Sequence, residues 1–227
     1  MILNHGGKKM WCIPEMTPEF IERMEDVLNI YEKPYNAKRP VICLDEKPVQ
    51  LIEDARKSIS SKPGKAKKRD YEYIRKGTAN VFCIVEPKGG RHFTYVTKNR
   101  KSKEFAKVLN RIANHYSHAE KIHIVMDNLR SHSLKALTDY YGDEKGLEIW
   151  NKYEVHFTPK HASWLNQAEI EIGIYSRQCL GMDRIGEIDK LREKTNAWNK
   201  IVNKKKLKIN WNFTTKEARK KFNYKFN

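Results

Sequence analysis

Residues 122–126, Ile-His-Ile-Val-Met, form a run that is apolar but for one imidazole, and it stops at Asp127. A strand with so little polar character belongs inside a sheet covered on both faces, as parallel strands with crossover helices are. A second apolar run, 41–44, stops at Asp45 in the same way. Strands are also expected at 78–85 and 91–97, and Lys88-Gly89-Gly90 between them is a hairpin signal. Phe105, Val108, Leu109, Ile112, Ala113 and Tyr116 then recur at helical spacing. After the strand at 122–126, a short helix is expected at 131–141, ended by Gly142. A charged loop, helix around 147–150, a strand at 153–157 and a helix at 165–180 follow. Three hairpin-linked strands followed by parallel strands that cross over through helices predict a mixed α/β sheet flanked by helices.

That sheet occupies 41–182. Residues 1–40 read as a linker holding one amphipathic helix, with Phe20, Ile21, Met24, Val27, Leu28 and Tyr31 on its apolar face and Thr17 and Pro18 at its start. Residues 183–227 read as a basic helical C-terminal extension. Thr214 and Glu217 are spaced as a capping box, and 200–227 holds ten basic residues against one acidic.

The chain carries 45 Lys and Arg against 28 Asp and Glu, a formal charge of +17. Such a surplus suits a polyanionic partner, because phosphate contacts dominate nucleic-acid affinity. Between 56 and 76 lie nine basic residues against two acidic, with Tyr71 and Tyr73 interleaved and Pro63-Gly64 marking a loop. A solvated loop and a nucleic-acid groove both fit that pattern, and the aromatics favour the groove. None of Cys12, Cys43, Cys83 and Cys179 forms a C-x-x-C pair, so buried thiols in a reducing cytosol are expected and a zinc site is not. The start lacks a signal-peptide core, and no apolar run approaches the roughly 20 residues of a membrane span.

Carboxylates at neighbouring strand ends make an oxygen-rich cage for hard divalent ions, and Asp45, Asp127 and Glu169 are placed to do so. Three stretches carry them: Leu44-Asp45-Glu46-Lys47-Pro48; Met126-Asp127-Asn128-Leu129-Arg130-Ser131-His132; and Thr158 to Glu169, which contains Leu165-Asn166-Gln167-Ala168-Glu169. In this order they resemble the catalytic domain of the mariner-like DDE transposases, closest to the bacterial insertion-sequence branch called the six-thirty family. The resemblance covers nearly the whole chain from about Trp11. It implies a ribonuclease H-like fold in a bacterial, cytoplasmic, nucleoid-associated protein. Asp45, Asp127 and Glu169 would then be catalytic and bind two Mg²⁺ ions, for which Mn²⁺ can substitute. The implied partner is double-stranded DNA, cut at the element's ends and joined to a TA target by a homodimer. Mariner-like relatives carry helix-turn-helix modules before this domain, and residues 1–40 hold no such segment. A non-catalytic DNA-binding fragment that regulates a full-length transposase is the alternative.

Around the triad, Glu46 points to the opposite face of its strand from Asp45 and is a supporting residue. Asn128 and His132 orient a metal-bound water, contact phosphate, or merely cap a helix and bond locally; Asn166 belongs to the same supporting set. Glu171 competes with Glu169, but two positions on a helix turn about 200°, so they cannot share a face. The family spacing selects Glu169 and leaves Glu171 solvated or near DNA. The expected DNA contacts are Lys62, Lys65, Lys67, Lys68, Arg69, Arg75, Lys76, Lys160 and His161. Trp164 packs the catalytic helix or stacks on a base.

Overall fold

A computed structural model describes residues 3–5, 8–10, 15–66, 68–129 and 131–224. A short antiparallel pair, β1 (Leu3–His5) and β2 (Lys8–Met10), precedes helix α1 (Pro18–Glu32). Pro18 opens α1, and Thr17 Oγ1 accepts a 3.1 Å hydrogen bond from Phe20 N, satisfying one amide that the helix cannot. The main sheet follows: β3 (Val41–Asp54), β4 (Tyr73–Glu86), β5 (Arg91–Thr97), then helix α2 (Ser102–His115) and β6 (Ile122–Met126). Helices α3 (Leu134–Tyr141) and α4 (Asp143–Trp150) lead to β7 (Tyr153–Phe157). Helices α5 (Ala168–Tyr175), α6 (Ile188–Lys205) and α7 (Thr215–Phe222) complete the chain.

The five strands are ordered β5-β4-β3-β6-β7. β3, β4 and β5 are antiparallel neighbours, whereas β6 runs parallel to β3 and to β7. This is the mixed ribonuclease H-like sheet expected from the order of elements. Every residue of β6 is buried, as its composition requires. One face packs Ile42, Leu44, Phe82, Ile84, Ile124 and Met126 against Phe105, Leu109 and Ile112 of α2. The other face is covered in two patches. Cys43, Val85 and Val125 meet Met24, Leu28 and Tyr31 of α1. Val81 and Cys83 meet Tyr175 of α5 and Leu191, Trp198 and Val202 of α6. Each large aliphatic or aromatic side chain buried here contributes about 1.5–3 kcal/mol, so both layers are needed to hold the strands in register.

The structure corrects three expectations. β3 does not end at Asp45 but runs on to Asp54, paired with an equally lengthened β4 across one register shift at Leu51/Ile52. What ends near Asp45 is the parallel neighbour, since β6 pairs with β3 only as far as Cys43. Pro48 is tolerated because Glu46 N, two residues earlier, bonds the Asp45 carboxylate rather than β4. Pro48 therefore faces the same open edge and removes no ladder bond.

The charged loop expected after Gly142 is instead the start of α4. Gly142 (φ 83) turns the chain directly from one helix into the next, and Asp143 and Glu144 sit favourably in the first turn of α4. Third, the helix expected over 165–180 is three pieces: a 3₁₀ turn at Ser163–Leu165, α5, and a π-turn at Ser176–Leu180 closed by a 2.9 Å bond from Gly181 N to Ser176 O.

The capping box of α7 is present, with Glu217 N on Thr214 Oγ1 at 3.2 Å and Thr214 N on Glu217 Oε2 at 2.9 Å. The segment after α6 returns to α1: Arg219 donates to both oxygens of Glu25, at 2.8 and 2.7 Å, and Tyr224 Oη donates to the same carboxylate at 2.9 Å. Cys43, Cys83 and Cys179 are free, buried thiols, as expected; Cys12 lies outside the described residues. Among the described residues, no helix is long and apolar enough to cross a membrane.

Candidate active site

Asp45 lies in β3 just beyond the last pair with β6, Asp127 is the first residue after β6, and Glu169 is in the first turn of α5. Parallel strands bring their C-terminal ends to one edge, so β3 and β6 deliver their aspartates to the same place. Asp45 experiences the negative charge of Glu169, Asp127 and Glu46. Burial comes first among the causes that push the Asp45 carboxyl up, to about 7, and those three charges add to it. The backbone amide of Glu46, 2.7 Å from Asp45 Oδ1, pulls the other way without prevailing.

The seam between β3 and α5 is tied by side chains. Asn166 Nδ2 donates to the carbonyl of Leu44 at 2.8 Å, and Asn166 Oδ1 accepts from Ala168 N at 3.1 Å. One buried amide thus fixes both the residue before Asp45 and the helix start that carries Glu169. Tyr31 of α1 reinforces the junction. Its hydroxyl donates to Leu165 O at 2.9 Å, accepts from Gln167 N at 3.4 Å and lies 3.3 Å from Cys43 Sγ.

Below Asp127 sits His132. Its ring is buried and stacks on Phe105 with centroids 4.5 Å apart. Nε2 reaches Glu46 Oε1 at 2.8 Å, while Nδ1 faces the carbonyl of Asp127 at 3.0 Å and Asp127 Oδ1 at 2.7 Å. Burial opposes protonation of this imidazole, but the two carboxylates outweigh it and raise the pKa to about 10. His132 thus sits between two acids, bridging Glu46 and Asp127, and the donor atoms of these three residues lie within 4.8 Å of one another. Glu46, whose side chain is 2% exposed, holds the far side of that ring from the face opposite Asp45. Asn128 stays exposed beside Asp127.

Glu171 corrects the expectation of a solvated carboxylate. It is fully buried and accepts a 2.8 Å bond from His92 Nδ1, while His92 Nε2 lies 3.3 Å from Leu207 O. Burial disfavours a charged His92, yet the bond and charge of Glu171 and the Leu207 carbonyl raise its pKa above the usual value. Glu169, on the other side of the helix, is exposed.

The expected DNA-binding residues fall into two groups. Lys160 and His161 line a cavity of about 620 Å³ together with Asp127, Asn128 and Arg23. The remainder, Lys67 apart, lie on the extended hairpin of β3 and β4, whose tip folds back through Ile59↔Lys68 and Lys62↔Lys65 bridges around Gly64 (φ 72). From Asp45 to the end of β3 is about 30 Å of strand at ~3.3 Å per residue, so the two groups are not one cluster. Lys62, Lys65, Lys68 and Arg75 are exposed and make no ion pair among the described residues. Lys76 is paired with Glu53 at 2.9 Å, and Arg69 bonds Met182 O at 2.6 Å beside Asp54. Their charge is partly spent within the molecule. Lys67 lies outside the described residues. Trp164 packs on Phe213 and Phe222 of the C-terminal segment, at 5.6 and 6.3 Å between centroids, and is 39% exposed.

Two supports went unseen in the sequence. Tyr31 appeared only as an apolar helix position, and His92 gave no signal at all. Their partners lie 134 and 79 residues away, beyond the reach of local pattern.

A divalent cation fits the acidic group. The donors are carboxylate oxygens, and the Asp45 carboxyl is pushed up by burial first and by the charges of Glu169, Asp127 and Glu46 after it, which a cation would offset.

A family model described as "DDE superfamily endonuclease" matches residues 40–192. No curated protein matches the chain. Among solved structures, the chain is similar to the Mos1 mariner paired end complex with Mn (TM-score 0.55, 16% identity, covering 91% of this chain and 63% of that one). It is also similar to the Mos1 transposase paired-end complex with left transposon end (0.57, 16%, 91% and 62%). A third similar structure is a pre-cleavage Mos1 transpososome (0.56, 15%, 97% and 66%). The chain thus spans less than two thirds of the Mos1 chains it matches.

Proposed function

The chain belongs to the DDE superfamily endonucleases, and we propose that it is the catalytic domain of a mariner-like transposase, cutting DNA strands at the ends of an insertion sequence and transferring them to a target. Asp45, Asp127 and Glu169 would hold two Mg²⁺ ions, or Mn²⁺ in their place. Such a pair of ions activates the attacking oxygen and stabilises the leaving oxygen of a phosphodiester. The protein's own share is positioning. Asn166 and Tyr31 set Glu169 against Asp45, and His132 with Glu46 fixes Asp127 from below. Near-attack placement of this kind lowers a barrier by entropy already lost on folding.

What carries the reading is the gathering of three acids from β3, β6 and α5 around an Asp45 carboxyl that burial and its neighbours' charges push up to about 7. The cavity beside Asp127 gives a strand of DNA access past Lys160 and His161, and the basic hairpin supplies a second, distant contact. On this reading the enzyme acts as a homodimer on paired element ends and joins them at TA. Recognition of the terminal repeats falls to a module outside residues 41–182, and residues 183–224 of the C-terminal extension dock on the catalytic domain.

Asp127→Asn tests the assignment. Mg²⁺-dependent strand cleavage should disappear while DNA binding stays near normal, and Ca²⁺ in place of Mg²⁺ should allow binding without cleavage. If Asp127→Asn cleaves normally, the triad is wrong. If the unaltered chain binds DNA but never cleaves it with Mg²⁺ or Mn²⁺, the non-catalytic regulatory fragment is the better account.

A further inference from the structure

His123 is the second residue of β6, at the opposite end of the strand from Asp127. β7 lies parallel beside it, with His123 opposite Glu154 and Val125 opposite His156. Alternation along a strand sends Glu154 and His156 to one face, and it is the face that also receives His123. Both imidazoles are buried, and Glu154 is half-exposed at the rim. His123 Nδ1 lies 3.0 Å from His156 Nε2 and 3.6 Å from Glu154 Oε2. One donor atom from each of the three falls within 4.8 Å of the others. On its far side, His156 Nδ1 donates to Asp26 Oδ2 of α1 at 2.8 Å. That bond fixes the ring's tautomer. The hydrogen is on Nδ1, so Nε2 presents its lone pair toward His123 and Glu154.

We propose that His123, Glu154 and His156 form a binding site for a transition-metal ion of the Zn²⁺ class, with Asp26 orienting His156, separate from the carboxylate group around Asp45. Metal–ligand bonds of about 2.0–2.1 Å in a tetrahedral arrangement put ligand atoms about 3.3 Å apart. The two separations from His123 Nδ1, 3.0 and 3.6 Å, bracket that value and all three donor atoms lie within 4.8 Å of one another, so an ion would replace the proton that His123 Nδ1 now shares with His156 Nε2 and draw the ligands together. Two imidazoles and one carboxylate suit zinc and its neighbours, whereas Mg²⁺ prefers an all-oxygen shell. The carboxylate–imidazole pair formed by Asp26 and His156 is the outer support that zinc-binding histidines usually have. Arg39 holds Glu154 Oε2 at 3.0 Å and Lys33 adds positive charge nearby; Glu154 must share or exchange that partner, and the negative charges of Glu154 and Asp26 offset the two cations. The rim left open at Glu154 admits water as a fourth ligand. An ion here would bind β6 to β7 and, through Asp26, to α1. It would do so about 13 Å of strand from Asp127, bracing the strand that carries a catalytic acid without entering the reaction.

The test uses the full chain in excess Mg²⁺, so that the carboxylate group is occupied, with Zn²⁺ titrated against a chromophoric chelator. Co²⁺ then reports nitrogen ligation through its visible spectrum. A single strong Zn²⁺ equivalent is expected. It should weaken roughly 100-fold or more in His123→Gln and His156→Gln, since losing even an outer partner costs 10–100-fold. Glu154→Gln and Asp26→Asn alter half-exposed side chains and keep the fold, so they decide the matter if the histidine variants do not fold. Each should weaken binding roughly tenfold or more. Asp127→Asn should leave binding unchanged. No strong equivalent in the unaltered chain, binding indifferent to Glu154→Gln and Asp26→Asn, or binding abolished in Asp127→Asn would each overturn the proposal.

Discussion

Replacing Asn166 with Ala is the sharpest probe of how this fold builds its site. The side chain is 2% exposed and makes two hydrogen bonds, to Leu44 O at 2.8 Å and from Ala168 N at 3.1 Å. Truncation removes both and leaves a carbonyl and an amide without partners. A buried polar group left unpaired costs about 1–3 kcal/mol, and relaxation around the small void will recover part. The expected loss is about 2–4 kcal/mol, or roughly 30- to 1,000-fold in the folding equilibrium at about 1.4 kcal/mol per tenfold. Urea unfolding followed by circular dichroism measures it. The same variant should nick supercoiled DNA with Mg²⁺ about 100-fold more slowly, because a displacement near 1 Å costs that much. Asn166→Asp separates the two bonds: it keeps the acceptor for Ala168 N but turns a lone pair toward Leu44 O, so it should remain defective. A loss below about 0.5 kcal/mol would refute the argument that Asn166 is the tie. A destabilised variant that nicks at the normal rate would refute its role in placing Glu169.

Gly146→Ala should destabilise the protein by about 1–3 kcal/mol, although alanine gains about 1 kcal/mol in helix propensity. A Cβ there would lie 2.7 Å from Thr138 N, against backbone that cannot move aside, and a rise in thermal midpoint would contradict this. Exchanging Lys62, Lys65 and Lys68 together for Ala should weaken DNA binding on every sequence alike and reduce the salt slope by about 0.9 for each phosphate no longer neutralised; an effect confined to one sequence would refute it. Burial, ahead of its neighbours' charges, holds the His123 imidazole down at about 4, below the ordinary value near 6.5. As pH falls from 6.5 toward 4, the unfolded chain takes up a proton that folded His123 refuses, so this contribution to stability is lost across that window. Asp45, pushed up to about 7, acts in the opposite sense over the same range, so the difference between the unaltered chain and His123→Gln is the quantity to read from unfolding midpoints. A pH slope identical in the two would refute it.

How far the sequence foretold this structure depends on where each determinant lies. β6 and β5 were legible because their signals are local: an unbroken apolar run for one, a glycine turn and alternation for the other. β3 was cut short because its apolar run ends at Leu44. Beyond Asp45 only alternate positions, Val49 and Leu51, turn inward, and Pro48 reads as a terminator unless the open edge is known. The first half of α4 was hidden by two glycines, one turning the chain and one allowing close approach to α3, both of which resemble loop residues in one dimension, while its second half was expected around 147–150. The acids of the triad could be named because Asp45 and Asp127 end apolar runs and the family spacing selects Glu169. Glu46, His132 and Asn166 could be named as supports but not paired: His132 finds Glu46 across 86 positions, and only the folded sheet makes them neighbours.

The distribution of charge argues independently that the Asp45 group is a site rather than a structural feature. Burying a carboxylate is costly unless a cation or several donors accompany it, and elsewhere the chain obeys that rule. Glu25 has a bidentate Arg219 and Tyr224, Glu171 has His92, and Glu86 has Tyr116 with Arg91 3.5 Å away. Around Asp45 the rule fails. Asp127 and Glu46 share the one imidazolium of His132, and among the described residues no lysine or arginine lies within ion-pair distance of Asp45, Asp127 or Glu169. In a chain carrying 45 basic residues, a shortage of cations at one place is not a shortage of supply. On the proposed reading, the surplus positive charge is kept for phosphate and the acids for ions that arrive from solution.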